Sequence, residues 1–131
     1  MTDSGVGVYR ENILDHYKNP RNFGEMDRPD AELKESNPLC GDEIKIQVKI
    51  MEGKVADFKF TGKGCAISMA SASMLSEVVK GMDVEEIKKM TNNDVVRMLS
   101  IPIGPVRIKC ATLPLIALKK VIDHVGGGDN V

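Results

Sequence analysis

Polar and apolar residues alternate strictly in two neighbouring segments near the middle of the chain, residues 43–50 and 55–60. A period of two residues is typical of a β-strand that buries one face, and Glu52-Gly53 between the segments favours a turn. The pattern therefore predicts a two-stranded hairpin. Its buried face is expected to carry Ile44, Ile46, Val48, Ile50, Phe58 and Phe60.

Helical spacing occurs on both sides of this hairpin. A helix is predicted over residues 8–18, because one face carries Tyr9, Ile13 and Tyr17. After the hairpin, residues 66–79 have a helical period and end near Gly81, a residue suited to a helix C-terminus. Two short helices are predicted over residues 84–90 and 93–99, the first with a capping box of Asp83 and Glu86.

The last helix is expected to follow Cys110, with Pro114 in its first turn, where the missing N–H of proline is tolerated. The apolar band along this helix is broad, which indicates burial against the sheet. Gly126-Gly127-Gly128 is expected to end it.

The order of the elements, strands followed by helices, indicates an α+β fold. With a further short strand over residues 31–36, we expect a small antiparallel three-stranded sheet packed by helices on one face. A chain of 131 residues is long enough to bury one core. We therefore expect a single domain over residues 1–131, with residues 1–7 and 126–131 flexible.

Composition and charge exclude several classes of partner. The formal net charge is −1, so the chain lacks the excess of Lys and Arg that nucleic-acid binding requires. No apolar run approaches the roughly 20 residues that span a bilayer, and the N-terminus lacks the pattern of a secretory signal. We expect a cytoplasmic protein that binds neither nucleic acid nor membrane.

The candidate chemistry lies in the three cysteines, Cys40, Cys65 and Cys110. An odd number argues against a closed disulfide framework, and buried cysteines often serve only as small apolar side chains. Here Cys65 and Cys110 each precede a predicted helix, where the helix dipole stabilises a thiolate. Cys40 lies in a turn before the hairpin, so placement favours a functional role for all three.

We expect the three thiols to converge on one metal site, with Asp42 as the nearest candidate for a fourth ligand. Gly41 and Gly64 flank two of the cysteines and would let the backbone pack closely around a bound group. Three thiolates with one oxygen donor suit zinc or an iron–sulfur cluster. The alternative role for Asp42 is to stabilise a turn. His16 and His124, within predicted helices, are expected to be structural or exposed.

Four motifs in this order resemble the IscU/NifU-type iron–sulfur cluster assembly scaffolds, and the resemblance extends from Tyr9 to about Val125. The motifs are Asp15-His16-Tyr17-Lys18-Asn19-Pro20-Arg21-Asn22, Asn37-Pro38-Leu39-Cys40-Gly41-Asp42, Gly64-Cys65-Ala66-Ile67-Ser68 and Pro105-Val106-Arg107-Ile108-Lys109-Cys110-Ala111. Four motifs in the right order are far more specific than any one of them alone.

The resemblance implies an α+β scaffold that is not itself an enzyme. Members of the family receive persulfide sulfur from a cysteine desulfurase, combine it with iron, and pass a 2Fe–2S cluster to acceptor proteins. An iron or electron donor protein is a further expected partner. The resemblance also implies that Cys40, Cys65 and Cys110 are cluster ligands and sulfur acceptors, and that Asp42 helps to ligate the cluster and keeps it labile. Members also bind zinc at the same site.

Two positions differ from the pattern of the family. Many members have a histidine directly before the third cysteine, where this chain has Lys109, whose ammonium has no lone pair for a metal. The expected fourth ligand is therefore Asp42, or a group from the second subunit of a homodimer that shares the cluster. The expected role of Lys109 is instead to lower the pKa of the Cys110 thiol or to steady an incoming persulfide. Residues 103–107 differ from the Leu-Pro-Pro-Val-Lys segment of chaperone-dependent members, which argues against docking of a dedicated chaperone.

The segment Lys109-Cys110-Ala111-Thr112 also resembles the SufU branch, whose members are zinc-dependent sulfur carriers with sulfurtransferase activity. Those members carry an insertion between the second and third cysteines that this chain lacks. The missing insertion favours the scaffold, and the zinc-dependent sulfurtransferase is the alternative.

Overall fold

The computed structural model describes residues 2–37 and 41–130, with side chains described for residues 10–37 and 41–124. Three strands and five helices occur within these ranges: α1 Thr2–Lys18, β1 Ala31–Asn37, β2 Asp42–Met51, β3 Lys54–Lys63, α2 Ala66–Val79, α3 Val84–Lys89, α4 Asn92–Leu99 and α5 Pro105–Asn130. The strands form an antiparallel sheet of order β1-β2-β3. The predicted α+β fold with a three-stranded sheet is confirmed.

The predicted hairpin is strands β2 and β3. Glu52 and Gly53 at its tip both have positive φ angles, 54° and 75°, the signs required by the turns that match strand twist. All but one of the six residues predicted for the buried face are buried. The exception is Ile50, which is only partly buried because the register between β2 and β3 shifts between Lys49 and Ile50.

The helices pack in an order that joins the two halves of the chain. Helix α5 lies against β1 and β2, α2 lies against β3 and α5, and α1 packs on α2. Between them lie the largest fully buried side chains, namely Phe58, Phe60, Ile44, Ile46, Leu75, Ile87, Leu99, Leu115, Leu118, Val48, Val55 and Val79. This core holds the N-terminus of α2 and the second turn of α5 beside the same end of the sheet.

Helix α1 is longer than predicted and buries a different face. It begins at Thr2 instead of residue 8, and the side chain of Tyr9 lies outside the described residues. Ile13 is buried as predicted, but Tyr17 is 44% exposed and His16 is buried in its place. The imidazole is accepted there because its Nδ1 is hydrogen-bonded to Oγ of Ser73 at 2.7 Å.

The capping box predicted for Asp83 and Glu86 is wrong. Asp83 is the N-cap of α3, but its side chain makes no capping hydrogen bond. Backbone carbonyls accept there instead, since the N–H of Val84 donates to the carbonyl of Gly53 at 2.8 Å. The capping box is found at Thr91 and Asp94, where α4 begins.

Helix α5 begins at Pro105, so the prediction that Cys110 precedes it is wrong, and Pro114 lies inside the helix. Pro105 suits a first helical position because its φ angle is preset and its missing N–H has no intrahelical partner there. Pro114 removes one hydrogen bond, which the burial of Leu113, Leu115 and Leu118 offsets.

The prediction that residues 126–128 end α5 is also wrong, because the helix continues to Asn130. Glycine weakens a helix by about 1 kcal/mol relative to alanine but is able to adopt helical angles. The expected flexibility of residues 1–7 and 126–131 stays a prediction, because a helical conformation gives no information on motion. Met1 and Val131 lie outside the described residues.

No helix in the described ranges is both long and apolar enough to cross a bilayer.

Candidate metal centre

Asp42 begins strand β2 at the end of the sheet where β1 and β2 connect. It pairs with Asn37, and the N–H of Gly41 donates to the carbonyl of Asn37 at 2.9 Å. Gly41 has a φ of +72°, a conformation that glycine adopts without strain, so this glycine serves the turn. Cys40 lies outside the described residues, in the connection between Asn37 and Asp42.

Cys65 is the N-cap of α2, as predicted, and its side chain makes no capping hydrogen bond. Its backbone N–H donates to Oδ1 of Asp42 at 2.9 Å, and its Sγ lies 3.9 Å from Oδ2 of the same carboxylate. The positive end of the α2 dipole is therefore directed at the Asp42 carboxylate, a group of the charge that a helix N-terminus stabilises. Cys65 is partly exposed, whereas Asp42 is 1% exposed.

Cys110 lies in the second turn of α5 and is fully buried. The dipole of α5 does not stabilise a thiolate at this position, because the effect is confined to the first turn of a helix. What places Cys110 beside the other groups is the packing of α5 on the sheet and on α2.

One atom of Asp42, one of Cys65 and one of Cys110 all lie within 4.8 Å of one another. Two sulfur ligands of a tetrahedral zinc ion, each about 2.3 Å from the metal, are roughly 3.8 Å apart. A contraction of about 1 Å would therefore bring the three side chains to ligand spacing. Their donor atoms, one carboxylate oxygen and two sulfurs, fit zinc or iron.

Gly64 lets the carboxylate of Asp42 occupy this position. A Cβ atom at residue 64 would lie 2.5 Å from Oδ1 of Asp42 and 3.0 Å from its carboxyl carbon. Any larger residue would therefore displace the carboxylate or the start of α2. Gly41, in contrast, has open space around its missing Cβ among the described residues.

Lys109 is exposed and lines a cleft of about 290 Å³ together with Asn37 and Thr112. It is next to Cys110 in sequence, and its ammonium has no lone pair for a metal, so it contributes no ligand to the centre. His124 is exposed, and neither described histidine belongs to the group.

Sequence reasoning missed two features of this centre. The first is the hydrogen bond between Asp42 and the N-terminus of α2, which joins residues 23 positions apart. The second is Ser68, which is 1% exposed and whose Oγ has no hydrogen-bond partner among the described residues. A small polar residue three positions after Cys65 is the available signal for the second.

Comparison with known proteins identifies the fold family. The iron–sulfur cluster assembly enzyme IscU of Drosophila melanogaster is 39% identical over 121 residues, which cover 89% of this chain and 77% of that protein. The iron–sulfur cluster assembly scaffold protein IscU of Escherichia coli K12 is 38% identical over 119 residues, which cover 88% of this chain and 91% of that protein.

A third relative is the zinc-dependent sulfurtransferase SufU of Bacillus subtilis, 38% identical over 139 residues that cover 93% of this chain and 94% of that protein. This alignment is longer than the 131 residues of the chain, so it contains positions that the chain lacks. Residues 8–127 match the NifU-like N-terminal domain. The chain belongs to the NifU-like N-terminal domain family.

Proposed function

We propose that this protein is a scaffold on which a labile 2Fe–2S cluster is assembled from iron and desulfurase-derived sulfur and then transferred to acceptor proteins. The observation that carries the proposal is the group formed by Asp42, Cys65 and Cys110, which three separate elements bring within 4.8 Å of one another. Two relatives are named as iron–sulfur cluster assembly proteins. The cluster is the cargo of such a scaffold and is not a resident cofactor.

Cys40 is the third thiol of the proposed site. It lies two positions before Asp42, in the connection between Asn37 and Asp42. Asn37 and Asp42 are themselves paired across the sheet. The chain therefore keeps Cys40 within a few residues of the group. Together with Asp42, Cys65 and Cys110, it would complete a set of three sulfurs and one oxygen, the donor set expected for such a cluster.

The mixed donor set accounts for release of the cargo. Thiolates are soft ligands and bind iron–sulfur clusters firmly, whereas a single carboxylate oxygen is a harder and weaker ligand for them. Cys65 is partly exposed at the surface of the centre, so a sulfur donor or an acceptor would reach this side first. We propose that Asp42 sets how readily the cluster leaves, and that Lys109, beside Cys110, steadies an incoming persulfide.

Assembly requires electrons as well as sulfur. A persulfide transfers a sulfur atom at the zero oxidation level to a thiolate, and the donor cysteine leaves as a thiolate. Conversion of that sulfur to sulfide takes two electrons. We therefore include an electron donor protein among the partners, together with the cysteine desulfurase, an iron source and the acceptor proteins. Within the described ranges Cys65 and Cys110 are not joined in a disulfide, which fits a reducing compartment such as the cytoplasm.

Anaerobic reconstitution tests this function. Reduced protein, ferrous iron, L-cysteine and a catalytic amount of cysteine desulfurase should give a coloured species with the absorption of a 2Fe–2S cluster. Cys65→Ser and Cys110→Ser should each reduce the yield strongly, whereas His124→Asn, at an exposed position outside the group, should not. Absence of a cluster in the wild-type protein with all three thiols reduced would exclude the scaffold.

The second candidate function is that of a zinc-dependent sulfurtransferase. One relative, 38% identical to this chain, carries that name. The donor set of Asp42 and the thiols also fits zinc, as described above. This function predicts one tightly bound zinc per chain and stimulation of desulfurase turnover that disappears on chelation. A protein that forms a cluster and does not accelerate the desulfurase would exclude it, and would also support the expectation that the chain is not an enzyme.

A further inference from the structure

Helix α2 carries four buried serines, and Ser68 differs from the other three. Ser71 donates to the carbonyl of Ala111 at 2.6 Å, and Ser76 donates to the carbonyl of Ser73 at 2.6 Å. The Oγ of Ser73 accepts from the N–H of Arg21 at 2.8 Å. Ser68 is equally buried, but no described residue pairs with its hydroxyl. A buried hydroxyl without a hydrogen-bond partner lowers the stability of the folded protein, so a functional role for Ser68 has to be considered.

The local alternative is also unused. A hydroxyl inside a helix usually donates to a carbonyl three or four residues earlier, and Thr112 does so with Ile108 at 2.8 Å. Ser68 makes no such bond. Its hydroxyl is therefore available to a group outside its own helix.

The position of Ser68 on α2 indicates which group that is. It lies three residues after Cys65 and three before Ser71, and residues at this spacing share one face of a helix. The sulfur of Cys65 lies beside Cys110, and the hydroxyl of Ser71 bonds to the residue that follows Cys110. This spacing places Ser68 between Cys65 and Ser71 along α2, one helical turn after Cys65 and one turn before the serine that bonds to α5.

We infer that Ser68 is a positioning residue that donates its O–H to a metal-bound sulfur of Cys65 or Cys110. The inference rests on the proposed function, since it requires metal or cluster at this centre. The thiol sulfur is a weak acceptor, whereas a metal-bound thiolate carries negative charge and accepts a stronger, charge-assisted bond. The serine thus adds a hydrogen bond that exists only when cargo is bound.

Two consequences separate this role from a structural one. Hydrogen bonds to ligand sulfurs orient them and strengthen metal binding, and loss of such a partner typically costs about tenfold or more in affinity. The same bond lowers the energy of the sulfur lone pairs and therefore raises the energy of sulfur-to-metal charge transfer. In the metal-free protein, in contrast, removal of the hydroxyl breaks no hydrogen bond to any residue that the structure describes.

The test compares Ser68→Ala with Ser73→Ala, the same substitution at another fully buried position of α2. Zinc affinity is measured by competition with a chromophoric chelator, cobalt(II) absorption reports the sulfur-to-metal band, and thermal unfolding is followed in chelator. Ser68→Ala should weaken zinc binding by about tenfold, move the cobalt band to longer wavelength and leave the metal-free Tm equal or higher. Ser73→Ala should lower the metal-free Tm and leave the band unchanged, because it breaks the bond to Arg21.

The outcomes distinguish failure of the role inferred for Ser68 from failure of the proposed function. If the wild-type protein binds zinc and Ser68→Ala changes neither affinity nor band, the inference about Ser68 is wrong and the proposed centre stands. A lower metal-free Tm for Ser68→Ala would assign the hydroxyl a structural role and overturn the inference as well. If the wild-type protein binds neither zinc nor a cluster, the proposed function fails, and the inference fails with it.

Discussion

Oδ1 of Asp42 accepts a hydrogen bond of 2.9 Å from the backbone N–H of Cys65. This contact joins the start of strand β2 to the N-terminus of helix α2, so one carboxylate has two roles. It satisfies a backbone donor that the helix itself leaves unpaired, and its Oδ2 lies 3.9 Å from the sulfur of Cys65. A substitution at Asp42 therefore changes both the fold around the centre and the proposed ligand set.

Two substitutions separate these roles. Asp42→Ala removes the acceptor and should lower the free energy of unfolding by about 1–3 kcal/mol, because the N–H of Cys65 loses its partner. Asp42→Asn keeps an amide oxygen at that position and should cost less. Both variants remove the ionised oxygen donor, so both should release a reconstituted cluster to an apo acceptor more slowly than the wild type. Transfer can be followed by the acceptor's circular dichroism, and an unchanged rate in both variants would reduce Asp42 to a turn and capping residue.

Gly64 and Gly104 offer a matched pair of glycine substitutions. Gly64→Ala should weaken zinc binding by about tenfold or more, because the new Cβ would lie 2.5 Å from Oδ1 of Asp42 and displace the carboxylate. Gly104→Ala meets no atom within 4 Å and should leave the affinity unchanged. Chelator competition measures both. Equal affinities for Gly64→Ala and the wild type would show that the position of the Asp42 carboxylate does not matter for metal binding.

Local patterns predicted much of the fold. The strands and α2 were identified within a few residues, because alternation and helical spacing depend only on neighbouring positions. The start of α5 was missed because Pro102, Gly104 and Pro105 in sequence resemble a break, whereas Pro105 is the first residue of the helix. Only tertiary packing shows that Pro114 is tolerated inside that helix.

The candidate site was predicted by residue type rather than by geometry. Thiols and a carboxylate are recognisable in any sequence, so Cys65, Cys110 and Asp42 could be named in advance. The bond from Cys65 to Asp42 crosses 23 residues and depends on how α2 packs against the sheet, which no local pattern encodes. The unpaired hydroxyl of Ser68 is likewise visible only once its surroundings are known.

Removal of metal should leave the protein folded. The largest buried side chains, including Phe58, Leu75 and Leu115, belong to a continuous apolar core that needs no metal to exclude water. In excess chelator we expect helical circular dichroism to persist and thermal unfolding to remain cooperative. Collapse of the helical signal on chelation would instead indicate a structural zinc site, in which metal binding and folding are coupled.

The last prediction concerns His16, which ties α1 to α2 away from the metal centre. Its ring is 6% exposed and is hydrogen-bonded to Ser73. Burial lowers the pKa of His16 below the ordinary value of 6.5, and the Arg21 guanidinium acts in the same direction, while the carboxylates of Glu77 and Asp15 oppose it. The folded state thus favours the neutral ring.

The sign of the pH effect follows from this direction. Near pH 6.5 the unfolded chain binds a proton that the folded protein does not, so the free energy of unfolding should fall as the pH drops from 7 through that value. Urea denaturation at a series of pH values measures it. His16→Asn, which removes the titrating group, should flatten this part of the profile, whereas His124→Asn, at an exposed position, should not.

The lowered pKa values of Asp15 and Glu43 affect stability only in a more acidic range, since their ordinary values are 3.8 and 4.5. A slope that His16→Asn leaves unchanged would show that His16 is not the group responsible.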